Sequence, residues 1–280
     1  MKVLISHLRN EEYMLQWWIP HHLQKFDEAV IINYGSTDNT VDMIREMAPH
    51  WKIVDPWEEK FNCFRCDEQI LQIETDIQQQ YPGAFAMALT ITEFLVGNTQ
   101  FLEKEEGQYT KYVLSCQMCD IDDHLYVEPN PHLPLIKQRT FGYPEFYDET
   151  VEDDQNLYNF PIWKDTVGHH NPLRVSPRYM RCIRNGPYFA YDVGRHYWRP
   201  DVERRLKIAC YYYSPITKRM IERKCRVQDN LSDHDIENKL GYQHIGITEE
   251  TILRRMMHIR SFGKDLRQEF EELENMTYPD

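Results

Sequence analysis

Short apolar runs and abrupt polar turns alternate through the first forty residues. Leu4-Ile5 lies in a run that ends at Arg9-Asn10-Glu11-Glu12, and Ala29 to Asn33 forms a second that ends at Gly35-Ser36-Thr37-Asp38. Apolar runs of this length bounded by turn residues read as buried strands. Between them Tyr13, Met14, Trp17, Trp18 and His21 recur at helical spacing, and Pro20 predicts a helix that starts near Trp17 or kinks there. The aromatic stripe reads as packing against a sheet. Thr40 to Met47 places Val41, Ile44 and Met47 on one helical face, behind Ser36 and Asp38 as capping candidates. Trp51 to Val54 predicts a third strand, and Asp67 to Gln80 a long amphipathic helix carrying Ile70, Leu71, Ile73 and Ile77. Strands alternating with helices predict an α/β fold with a mixed, largely parallel sheet and helices on both faces. Such sheets bind ligands outside the carboxyl ends of their strands.

Beyond Pro82-Gly83, Phe85 to Leu95 predicts one continuous buried strand, and Lys111 to Met118, Leu133 to Phe141, Arg178 to Arg184 and Tyr191 to His196 predict others. Gly142 to Pro172 is acidic and aromatic without a clean period, as in an irregular loop or lid. Leu253, Met256, Met257, Phe262, Leu266, Phe270 and Leu273 predict one or two C-terminal helices outside the main sheet. No repeat or Gly/Ser linker divides the chain.

Composition narrows the classes. With 28% charged and 41% hydrophobic residues in 280, the chain reads as soluble and globular. A net charge of −13 gives no field that would draw it to nucleic acid or anionic lipid, and Arg204-Arg205 and Arg254-Arg255 form no basic stripe. An anionic ligand therefore needs a local basic pocket. Met1 to Ile5 is too short for a signal core, and no window reaches the ~18 apolar residues of a membrane span, which predicts a cytoplasmic protein.

Seven cysteines in such a chain predict free thiols. Cys63-x-x-Cys66 and Cys116-x-x-Cys119 lie further apart than the ~15–20 residues of a zinc ribbon. The second pair also closes an alternating strand, where residues three apart face opposite ways. Buried thiols are the preferred reading.

Arg9-Asn10-Glu11-Glu12 followed one helix later by Gly35-Ser36-Thr37-Asp38 resembles the donor-binding start of nucleotide-sugar glycosyltransferases with a GT-A fold, in the family-two-like group. In that family Asp-x-Asp-Glu-Phe-Leu holds a divalent ion on the donor diphosphate. Here the same place reads Thr90-Ile91-Thr92-Glu93-Phe94-Leu95, with both aspartates replaced. Thr140-Phe141-Gly142 matches a Phe-Gly turn on the acceptor side. Cys210-Tyr211-Tyr212-Tyr213-Ser214 and Lys224-Cys225-Arg226 match the family's closing segment, with cysteine in place of its histidine.

The resemblance implies one GT-A-like, Rossmann-type domain over 1–280, with a nucleotide-binding half (1–110), an acceptor half (111–245) and C-terminal helices (246–280). It implies a UDP-sugar donor, a glycan hydroxyl as acceptor, and inversion through a carboxylate general base. The chain also resembles the soluble transferases of large algal viruses. That likeness implies UDP-xylose as donor, a fucose-containing acceptor and the host cytoplasm as location. The alternative is a degenerate transferase that binds nucleotide sugar or glycan without turnover.

Ser6, His7, Arg9, Asn10 and Asp38 are the candidates for the nucleoside slot, with Arg65, Thr92, Lys224 and Arg226 as further donor contacts. Asp38 can cap a helix and still meet the ligand. Three readings of the diphosphate stay open. Glu93 holds a manganese or magnesium ion; or Asp120 and Asp122 supply an Asp-x-Asp one strand later; or Lys224, Arg226 and His196 neutralise the phosphates directly. His196 also counts as a metal candidate. The general base falls in the acidic loop, with Glu145, Asp148 and Glu149 leading and Glu152, Asp153 and Asp154 behind them. Tyr143, Tyr147, Tyr158 and Trp163 are candidates to stack on sugar rings or to anchor the loop.

Overall fold

A computed structural model describes residues 1–144, 181–186, 202–241 and 244–277. The chain begins β1 (Lys2–Leu8), α1 (Glu12–His22), β2 (Glu28–Asn33), α2 (Thr40–Met47), β3 (Lys52–Val54) and α3 (Cys63–Gln80). It continues β4 (Phe85–Ala88), β5 (Glu93–Val96), β6 (Tyr109–Val113), β7 (Ser115–Met118), α4 (Leu135–Gln138) and β8 (Phe141–Pro144). Then come β9 (Arg181–Asn185), β10 (Lys207–Cys210), α5 (Lys218–Cys225), α6 (Asp233–Glu237), α7 (Glu249–Ser261), β11 (Lys264–Asp265) and α8 (Arg267–Glu274).

These strands build a mixed α/β fold with two sheets. The first has the order β3-β2-β1-β4-β9-β6, parallel from β3 to β4 and antiparallel beyond. Its central strands are buried on both faces, and period two sorts their side chains. Leu4, Ala29 and Ile31 join the core under α1 and α2, while Val3, Ile5, Val30 and Ile32 pack against Cys66, Ile70 and Ile77 of α3. The second sheet has the order β11-β8-β7-β10-β5, a separate layer that the run of apolar segments does not predict.

Its origin corrects three expectations. Phe85 to Leu95 is two strands, because Leu89 to Thr92 leaves β1 and delivers β5 to β10 in the other sheet. Lys111 to Met118 likewise divides at Leu114 into β6 and β7, one in each sheet. Continuous apolar character cannot report a crossover, since both halves are equally buried. Leu133 to Phe141 is a helical turn, α4, before β8; Gln138 folds it back by bonding the Asn130 backbone at both its N–H and its carbonyl. Tyr191 to His196 and most of the acidic loop lie outside the described residues.

The helix α1 runs past Pro20, which sits exposed in its last turn and forfeits a single backbone bond. Of the two C-terminal helices, α7 packs Ile252, Met256 and Ile259 against Tyr213 and Ile216. By contrast α8 inserts Phe270 and Leu273 into the main core rather than lying outside it. Cys63 and Cys66 sit on α3, whereas Cys116 and Cys119 belong to the second sheet and its flank, and all four are buried. Among the described residues no helix is long and apolar enough to cross a membrane.

Candidate functional site

A cleft of about 670 Å³ opens at the carboxyl ends of β1 and β2. The β4–β5 crossover (Thr90 to Glu93) forms a second wall, and Tyr212, Tyr213 and α5 form a third. It is the place where parallel strands leave their last backbone groups unpaired and where a ligand can meet several loops at once.

The two sequence motifs meet here, and each bonds the other. Asn10 sits in the left-handed region at φ 53°, a conformation asparagine tolerates. Its N–H donates to Ser36 Oγ at 3.0 Å, and its Oδ1 accepts from the Thr37 N–H at 2.7 Å. Glu11 N–H donates to Thr40 Oγ1 at 2.7 Å. Asp38 accepts from the N–H groups of Thr40 (3.0 Å) and Glu12 (3.3 Å), and Glu12 accepts from Asn39 N–H at 3.1 Å. Asp38 therefore does structural work whatever else it touches. One side of the cleft is a cross-bonded double loop rather than two independent turns.

Against it stands an aromatic recess. The Phe61 ring lies 4.7 Å from His7 and 5.7 Å from Tyr34, centroid to centroid, and all three line the cleft. Cys66 Sγ contacts His7 Nδ1 at 3.5 Å from behind. Flat rings at a strand end suit a flat, partly polar ligand such as a nucleobase.

The lining also reverses the charge of the chain. Eight Lys and Arg face six Asp and Glu here, although the whole protein carries −13. Some of these cations are spoken for. Arg181 grips Glu93 through Nε (3.0 and 2.9 Å) and Nη2 (2.6 Å). Arg223 binds Glu11 with two bonds, and Arg219 reaches Glu12 at 3.4 Å while lying over the Tyr13 ring. Arg255 Nη1 donates to Tyr213 Oη at 2.8 Å.

Lys224 differs. It is only 3% exposed, its Nζ lies 3.0 Å from the Tyr212 ring centroid, and no carboxylate among the described residues pairs with it. Burial, then the neighbouring Arg223, pushes its ammonium well below the usual lysine range. His244, which bonds Tyr212 Oη at 3.1 Å, is held well below the usual histidine range by burial and then by Lys224.

The expected metal ligands do not converge. Glu93 is buried, both oxygens engage Arg181, and Oε2 also accepts from Thr90 N–H at 2.8 Å. Thr90 and Thr92 bond one another at 3.2 Å. Asp120 is buried away from the cleft, where it accepts from Ser214 Oγ at 2.7 Å and from Ile216 N–H. Arg139 Nε lies 3.1 Å from its Oδ1 as an ion pair whose N–H is not aligned for a hydrogen bond. Asp122 is exposed and clasped by Arg260. A hard cation wants several free oxygens at one point, and among the described residues no group of three His, Cys, Asp or Glu supplies a metal site. The described residues do not fit a divalent ion.

The other candidates divide cleanly. His7, Arg9, Asn10, Asp38, Thr92, Glu93, Lys224 and Arg226 line the cleft. Ser6 does not: it is fully buried in β1, and its Oγ finds no partner among the described residues. Arg65 lies on α3 outside the lining, paired with Glu58 and Glu68 and stacked over Trp57. Glu145, Asp148, Glu149, Glu152, Asp153, Asp154, His196, Tyr147, Tyr158 and Trp163 fall outside the described residues. Tyr143 packs on Phe262 at 5.9 Å.

Sequence reasoning missed Arg181, Arg255, Tyr34 and Phe61. Arg254-Arg255 had signalled only a basic pair, and helical geometry turns just one of the two towards the cleft. For Arg181 no local signal existed, because its partner Glu93 lies 88 residues away.

No protein-family model and no curated protein matches the chain by sequence. Among solved structures, S. aureus TarS 1–349 aligns over 45% of this chain and 40% of its own, at 14% identity and a TM-score of 0.30. The same TarS fragment in complex with UDP aligns over 50% and 44%, at 15% identity and a TM-score of 0.29. UDP-glucose pyrophosphorylase complexed with UDP-glucose aligns over 65% and 75%, at 8% identity and a TM-score of 0.27. The chain thus spans less than half the length of the TarS structures it matches. At these TM-scores the likenesses carry no argument about function, which rests on the cleft itself.

Proposed function

We propose that this cleft binds a UDP-sugar and that the protein transfers its sugar to a hydroxyl of a glycan. One observation carries the reading: the Arg9–Glu12 and Gly35–Asp38 motifs, paired in sequence, are bonded to each other at the strand ends, between an aromatic recess and a basic wall. In this reading the base enters beside His7, Tyr34 and Phe61, and Asn10 and Asp38 shape the ribose edge. The diphosphate faces Lys224 and Arg226, and the sugar points to the acceptor side. A carboxylate of the acidic loop, Glu145, Asp148 or Glu149, takes the acceptor proton as the hydroxyl attacks, with inversion. UDP-xylose is the proposed donor, a fucose-containing glycan the acceptor and the host cytoplasm the setting. The saturated Glu93 and the Thr90–Thr92 pair favour a second reading, a protein that binds the nucleotide sugar without turnover.

A thermal-shift panel of UDP, UDP-xylose, UDP-glucose and GDP-mannose tests the binding. A ligand held only by the folded state raises the melting temperature, so a rise confined to the uridine compounds is expected. UDP release on adding a fucose-terminated oligosaccharide separates transfer from binding. No uridine-specific shift at millimolar ligand would refute the assignment.

Asp38→Ala removes two acceptors of backbone N–H groups, so it should cost about 1–2 kcal/mol of stability. UDP affinity should fall about tenfold in the same variant, since the double loop slackens. Urea unfolding and calorimetry check both, and an unchanged affinity would remove Asp38 from the site.

A further inference from the structure

We infer that the cleft holds the diphosphate of its ligand through the ammonium of Lys224, without a divalent cation. This rests on the nucleotide reading above for the ligand's identity, but the argument comes from the charges.

A buried ammonium normally sits beside a carboxylate, because desolvating an unpaired charge is expensive. Lys25 shows the ordinary solution in this same chain: buried, it bonds Glu274 at 2.9 and 2.8 Å and the Gly97 carbonyl at 2.9 Å. Lys224, as deeply buried, finds among the described residues the Tyr212 and Tyr213 rings, at 3.0 and 5.8 Å, and further cations in Arg223 and Arg255. Glu11, the acid that acts on it, is occupied by Arg223. Lys224 at the wall of the cleft has no carboxylate counter-ion among the described residues, and an incoming diphosphate supplies one. Its arrival also restores the ammonium that burial has weakened.

The carboxylates that the sequence singled out for a cation are engaged elsewhere. Glu93 is saturated by Arg181 and Thr90, Asp120 by Ser214, Ile216 and Arg139, and Asp122 by Arg260. Register places the two features side by side, since Glu93 of β5 pairs with Cys210 of β10, two residues before Tyr212. The wall that carries threonines in place of aspartates therefore adjoins the lysine that can replace their metal.

Calorimetry with UDP, uridine and inorganic pyrophosphate, each in EDTA and again with manganese, tests this on the full chain. For UDP and pyrophosphate the dissociation constants should agree within threefold between the two conditions. Lys224→Met, which exchanges an unpaired buried charge for a methionine of similar length, should fold normally. It should weaken UDP and pyrophosphate at least thirtyfold while leaving uridine within threefold, and Lys224→Arg should restore part of the loss. Tightening of UDP tenfold or more by manganese overturns the inference, as does unchanged UDP affinity in a folded Lys224→Met; in either case the nucleotide reading stands. Pyrophosphate that binds in EDTA as tightly as UDP, with uridine not binding, supports the inference and removes the nucleotide. Failure of all three ligands to bind refutes both.

Discussion

Glu93→Gln and Arg181→Met should each destabilise the protein by about 3–5 kcal/mol, because either change breaks a buried, hydrogen-bonded ion pair. Both side chains are buried, and three contacts of 2.6–3.0 Å join them between β5 and β9, which belong to different sheets. Removing both charges should cost much less than the sum of the singles, and their difference measures the coupling. Urea unfolding of the two single variants and the double variant gives all the terms. Single losses below 1 kcal/mol, or strict additivity, would show that the pair is solvated and that Glu93 is open to other ligands. The same proteins separate two views of Glu93. As a metal ligand, its loss should abolish a manganese response and leave folding nearly intact. As the partner of Arg181, its loss should lower the melting temperature with or without manganese.

Acid should destabilise the fold well above the range in which carboxylates titrate. His21 and His22 are buried against Phe94 at the end of α1. Both are satisfied as neutral rings. His21 Nε2 donates to the Leu95 carbonyl at 2.7 Å; His22 Nδ1 donates to the Trp18 carbonyl at 2.9 Å, and its Nε2 accepts from Leu95 N–H at 3.4 Å. Protonating His22 would set one N–H against another. Burial, reinforced by Lys25, lowers His21 to about 3, and burial with the His21 charge lowers His22 well below its ordinary value.

An unfolded histidine titrates near 6.5. The contribution is therefore complete above about pH 6.5 and is lost as pH falls towards about 3, because the unfolded chain binds the protons first. His21 alone should cost about 2 kcal/mol between pH 7.5 and pH 5. Urea unfolding at those two values measures it. His21→Phe should lose a hydrogen bond worth about 1 kcal/mol at pH 7.5 and a smaller increment on acidification than the wild type. His22 and His244 keep part of the slope in that variant. An equal pH dependence in His21→Phe and wild type would show that His21 is free to protonate in the fold.

What could be read in advance depended on the range of the determining contacts. The helices α2 (Thr40–Met47) and α3 (Cys63–Gln80) were legible to within a few residues, because amphipathic spacing is a local property. The strands β1 and β2 and the two motif loops were legible for the same reason, and bonds from backbone N–H groups to side-chain oxygens join those loops. The division of Phe85 to Leu95 and of Lys111 to Met118 between two sheets was not legible, since hydrophobicity reports burial and not the sheet that does the burying.

By itself, then, the sequence determined an α/β chain with two polar loops at neighbouring strand ends and a Thr90-Ile91-Thr92-Glu93 segment with a single acid. The tertiary structure alone decided where charges meet. Arg181 finds Glu93, Arg223 finds Glu11, and Lys224 finds two aromatic rings and no carboxylate among the described residues. Ion pairing acts through a few ångströms of space between residues 88 and 212 positions apart, a separation that leaves no local pattern in the chain.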